Sequence, residues 1–90
     1  MHAHSPEIWQ HTVALGLPHT SVDIAYGTVE MAMAVEQLFQ SGKLAQTSLF
    51  TLLGHEDGVI AFGRNMKEAA WELVKHLSLA IRIEQQRINR

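Results

Sequence analysis

Two short β-rich runs, TSLFTLL at 47–53 and GVIAFG at 58–63, stand on either side of Gly54-His55-Glu56-Asp57. Apolar and β-branched residues separated by a polar, glycine-bounded tetrapeptide read as antiparallel strands joined by a tight turn. An isolated hairpin is only marginally stable in water, because its edges leave backbone N–H and C=O groups unpaired. A fold built on this pair must find strands for its edges elsewhere.

Helical patterns occupy most of the remaining chain. Ser5-Pro6-Glu7 combines an N-cap residue, a proline at the first helical position and an acidic first turn. It predicts a helix over about 6–15, ended by Gly16-Leu17-Pro18, with an extended connection over 17–25 that has room for a short strand. Thr28 caps a second helix whose apolar stripe is Met31, Ala34, Val35, Leu38 and Phe39. Glu30, Glu36, Gln37 and Gln40 lie opposite, and Ser41-Gly42 ends it. Asn65 caps the last helix, with Glu68 three residues on as in a capping box, and Met66, Ala69, Ala70, Leu73, Val74, Leu77 and Ile81 form its stripe. Trp71, Leu79 and Ile83 fall off that stripe and favour a second packed surface, such as a subunit contact. The expected fold is one α/β (α+β) domain over residues 1–90, in the order α-α-β-β-α, with a small antiparallel sheet completed by oligomerisation.

Composition excludes several function classes. A chain of 90 residues buries only about 60–65% of its unfolded surface, so an apolar fraction of 47% with 18% charged residues is high for its size. Part of that surface is expected to meet another chain. Net charge is −2, and the basic residues make no run beyond a scatter at Arg82, Arg87 and Arg90, which argues against nucleic acid as a partner. The absence of cysteine removes thiolate metal sites and cysteine nucleophiles. No apolar run reaches the roughly 18–20 residues of a membrane span, and the N-terminus lacks a leader pattern, so the expected location is cytoplasmic.

The histidines are the sharpest candidates for chemistry. In an extended segment His2 and His4 point to one face and can present two imidazole nitrogens to one cation. Zn²⁺ in catalytic sites takes three protein ligands plus water, and His55, at the tip of the glycine-flanked turn, can supply the third. The plainer reading is a frayed two-histidine terminus, or adventitious chelation by the Met1 amine and His2. Glu56 and Asp57 are the acid/base candidates beside His55, although a hairpin turn favours such residues for its own reasons. His11, His19 and His76 read as structural or solvated. Trp9, Phe39 and Trp71 read as core or interface. No phosphate-binding glycine loop or nucleophile elbow is present.

Three segments, in order, resemble the second half of the class II aldolase/adducin family. His2-Ala3-His4-Ser5-Pro6 is similar to its His-x-His-x-Pro segment, and residues 25–32 (AYGTVEMA) to its loop-to-helix segment. Residues 53–63 (LGHEDGVIAFG) with Asn65-Met66-Lys67-Glu68-Ala69 are similar to its Asn-His-Gly strand and final helix. The resemblance implies αβα layers and a divalent metal, usually zinc, that polarises a carbonyl and stabilises an enediolate in aldol cleavage or epimerisation of sugar phosphates. Carried over by position, His2 and His4 are the ligand pair. The third is His55, or Asp57, which takes the family histidine's place directly before Gly58. The family's preceding segment, with several strands, the phosphate loop and an acidic residue, has no counterpart here. The expectation is therefore a truncated module, at most an aldehyde-lyase or epimerase relative and inactive alone. It would associate with copies of itself or with a separate N-terminal half, and could hold a sugar-phosphate-like molecule. The alternative is a non-catalytic oligomerisation or interaction module without metal.

Overall fold

The computed structural model describes residues 1–45 and 47–88, and Arg90 of the basic scatter lies outside the described residues. The elements run β1 (His2–His4), α1 (Pro6–Gln10), β2 (His19–Thr20), α2 (Val29–Gln40), β3 (Leu49–Leu52), β4 (Gly58–Ala61) and α3 (Met66–Ile88). They form a mixed α/β domain with an open four-stranded sheet, ordered β1-β4-β3-β2, and three helices.

The hairpin β3-β4 is at the centre of this sheet, as its backbone demands. It pairs antiparallel from Leu49↔Ala61 to Leu52↔Gly58. Two further strands come from this same chain. On one edge β1 pairs antiparallel with β4, and on the other β2 pairs parallel with β3 through His19↔Thr51 and Thr20↔Leu52. The expected order α-α-β-β-α and purely antiparallel sheet are thus corrected: short segments at the chain start and after Pro18 are recruited as strands because the hairpin offers unpaired edges.

Alternation along the central strands builds two cores. Leu49, Val59 and Ala61 pack with Ile8, Leu17, Ala69 and Ala80 of the α1/α3 side. Phe50 and Leu52 pack on the opposite face with Met31 and Leu38 of α2 and with Leu44. Period-two spacing requires this division, since neighbouring side chains leave a strand on opposite sides. Thr51, on the α1 side and fully buried, is satisfied by the Thr12 hydroxyl at 2.9 Å.

Helix ends follow the sequence closely. Thr28 Oγ1 accepts from Met31 N at 3.1 Å, and Asn65 Oδ1 from Glu68 N at 3.0 Å. The Glu68 carboxylate reaches back to Arg64 N, one residue before the cap. These contacts and the Arg64 guanidinium hold the Glu68 carboxyl below its ordinary range.

Helix interiors depart from the reading in two places. The regular part of α1 stops at Gln10, where residues 11–16 become turns; Thr12 bonds back to the Trp9 carbonyl, and His11 leaves the helix to meet Glu84. Such side-chain contacts compete with continued helix. In α3, Met66, Val74 and Ile81 are 68%, 53% and 42% exposed, while Ala69, His76 and Ala80 are buried. The helix is rotated because the small alanines allow close approach to the sheet and because polar His76 and Glu84 belong to the inner face. His76 Nδ1–H donates to the Glu72 carbonyl at 2.8 Å. Among the described residues, no helix is long and apolar enough to cross a membrane.

Phe50 is 1% exposed and Phe39, beside it, 51%. Phe50→Ala is expected to lower unfolding free energy by about 3–5 kcal/mol. Phe39→Ala should cost less than about 1.5 kcal/mol, since much of that ring already faces water. Urea titration of both variants checks the contrast.

Candidate metal centre

The β1 register places both N-terminal imidazoles on one side of the sheet. His2 lies opposite Ile60 and His4 opposite Gly58, so their side chains share the α2 face, while Ala3 opposite Val59 faces α1 and α3. Hydrogen bonds at both ends extend the pairing. The Met1 ammonium donates to the Ala61 carbonyl at 2.7 Å, Ala61 N to the Met1 carbonyl at 2.9 Å, and Ser5 N to the Asp57 carbonyl at 2.8 Å. Bound in this ladder, the Met1 amine serves the sheet, which removes the support for a Met1–His2 chelate. The stretch is a paired strand, not a frayed end.

His55 arrives from the turn between β3 and β4. Its N–H donates to the Leu52 carbonyl at 3.0 Å, and its own carbonyl accepts from Gly58 N at 2.8 Å. Two glycines make the turn fit. A Cβ at Gly54 would stand 1.8 Å from the Ile24 carbonyl oxygen, and one at Gly58 would stand 2.7 Å from the His55 ring. Asp57 takes φ 62°, the left-handed conformation that aspartate tolerates in turns.

These local structures bring His2, His4 and His55 together, with one ring nitrogen from each lying within 4.8 Å of the others. Ring centroids are 5.1–5.4 Å apart. Nitrogens bound to tetrahedral zinc at 2.0–2.1 Å are about 3.3 Å apart, so the set is open by roughly 1.5 Å at most. Of the two candidates for third ligand, His55 stands with the pair and the Asp57 carboxylate does not join the cluster. Glu56 is exposed and outside the cluster.

Hydrogen bonding sets His55 apart from the histidines outside the cluster. Buried His11 meets Glu84 and buried His76 meets a backbone carbonyl, while exposed His19 has its Nδ1 3.1 Å from the Thr20 carbonyl oxygen. His55 Nε2, in contrast, is covered and has no hydrogen-bond partner. A buried polar group left unsatisfied costs about 1–3 kcal/mol, and a cation is one way to recover it. Partial desolvation holds His2 below the ordinary imidazole pKa, reinforced by the charges of His4, His55 and the Met1 ammonium. The neutral form, which ligates metal, is favoured.

Tyr26 completes the site and was not singled out from the sequence. Its ring stacks on His55 at 4.3 Å and 22°, and its hydroxyl is 3.4 Å from His2 Nδ1. A tyrosine ahead of a helix cap carries no periodic mark, so only the folded proximity of the 24–28 loop to the turn reveals it. Comparison with protein-family models, curated proteins and solved structures finds no match to this chain.

The unpaired His55 nitrogen yields a prediction with an unusual sign. Without metal, His55→Leu should leave unfolding free energy unchanged or raise it by about 1 kcal/mol, because an unsatisfied polar atom is removed. Loss of more than about 2 kcal/mol in urea titration would show that the imidazole is an ordinary structural element.

Proposed function

We propose that this chain is a small metal-binding α/β module of the class II aldolase/adducin type, holding Zn²⁺ or another divalent cation through His2, His4 and His55. The observation that carries the reading is the convergence of three imidazoles from two separate segments, with a covered, unpartnered nitrogen on one of them. The donor set suits the cation. Neutral imidazoles are good zinc ligands, and three of them leave a fourth position for water or a substrate oxygen.

When bound, such a cation supplies Lewis-acid polarisation of a carbonyl, the chemistry that sugar-phosphate aldolases and epimerases use. The residues of this chain provide the binding part of that task. The β1–β4 ladder fixes the backbone of His2 and His4 so that both exposed side chains leave on one face, and Tyr26 covers one flank of His55. Glu56 and Asp57 are outside the cluster, so the three-histidine set itself carries no carboxylate to move a proton. The module accordingly binds metal and small oxygen ligands without turning over a sugar phosphate by itself.

The alternative, a self-associating module without metal, draws on exposed Trp71, Val74, Leu79 and Ile81 along α3. One experiment separates the readings. Protein purified without a histidine tag and dialysed against limiting Zn²⁺ should retain about one equivalent, and His4→Ala should retain far less. Equal and negligible zinc in both proteins would overturn the metal site and leave the alternative.

A further inference from the structure

We propose that Trp9 is a positioning residue for the three-histidine site, acting through the Leu52 carbonyl to set where His55 stands relative to His2 and His4. The inference rests on the metal-site reading and assigns a role to a residue outside the cluster.

The turn that carries His55 occupies the five residues between Leu52 and Gly58. The segment that carries His2 and His4 grips it at both ends. At the far end Ser5 N, directly after His4, donates to the Asp57 carbonyl at 2.8 Å. At the near end the Trp9 indole N–H donates to the Leu52 carbonyl at 2.9 Å, the same oxygen that receives the His55 backbone N–H at 3.0 Å. Ser5 and Trp9 are themselves joined, because Trp9 N donates to the Ser5 carbonyl at 3.0 Å and the Ser5 hydroxyl caps α1. The start of α1 is thus a short rigid bracket that follows one half of the ligand set and is fixed to the other. Proline at position 6 stiffens it further.

The shared carbonyl makes the indole N–H specific. Leu52 is the last residue of β3, and its oxygen is where the chain leaves the sheet for the turn. An acceptor with two donors has both lone pairs engaged, which restricts the orientation of that peptide and of the turn leaving it. Removing one donor frees this orientation while the apolar contacts of the ring persist. A merely structural tryptophan would contribute through ring packing and would be replaced without loss by an isostere.

The test replaces Trp9 with β-(3-benzothienyl)alanine, which has sulfur in place of the indole N–H and nearly the same shape, and separately makes Trp9→Phe. Zn²⁺ affinity is measured by competition with a chromophoric chelator well below the unfolding temperature. In the metal-free proteins the nuclear Overhauser contact between the His55 and Tyr26 rings is followed. Both substitutions are expected to weaken zinc binding by about tenfold, as lost support of a ligand typically does, and to weaken the ring contact. Unchanged zinc affinity and an unchanged ring contact in the benzothienyl protein would overturn the proposal. If the unsubstituted protein binds no zinc, the metal reading fails by itself. The ring contact then decides the positioning claim: weakened it stands, unchanged it falls.

Discussion

The backbone ladder between β1 and β4 is the interaction on which the rest of this structure depends. It gives the central hairpin a third strand, with His2↔Ile60, Ala3↔Val59 and His4↔Gly58 in register. The same register decides which side chains meet. A slip of one residue would turn both histidines to the α1/α3 face and Ala3 to the α2 face, so the core and the site are specified together. Because Ser5 starts α1 immediately after the ladder, the direction of the first helix is set by it as well.

Stability and site are in tension at the turn. Most buried polar groups here are satisfied, as with Thr12 and Thr51 or His11 and Glu84. His55 Nε2 and Thr20 Oγ1 are the covered side-chain atoms without partners among the described residues. Thr20 lies on the edge strand β2, away from the histidines in the sheet order, whereas His55 is surrounded by His2, His4 and Tyr26 rings. A small domain has little stability margin, and an unsatisfied atom in such a setting is a sign that the position serves something besides folding.

Much of this arrangement was legible in local patterns. The Ser5, Thr28 and Asn65 caps, the hairpin runs and the i, i+2 spacing of His2 and His4 each depend on neighbours in sequence, and each appears in the fold. What was not legible depends on long-range packing. The rotation of α3 follows from His11 meeting Glu84 across 73 residues, and the parallel strand β2 exists because β3 offered it an edge. Tyr26 and Trp9 contribute to the site through contacts that no spacing encodes. Spacing alone brought out His2 and His4 as a pair and left His55 and Asp57 open beside them; in the fold it is His55 whose ring stands with the pair.

The most direct measurement is X-ray absorption at the zinc edge of the loaded protein in solution. The expected spectrum has four nitrogen or oxygen scatterers at about 2.0–2.1 Å, with an outer-shell signature of about three imidazole rings and water as the remaining ligand. A spectrum with the outer-shell signal of one imidazole or none would contradict the three-histidine site.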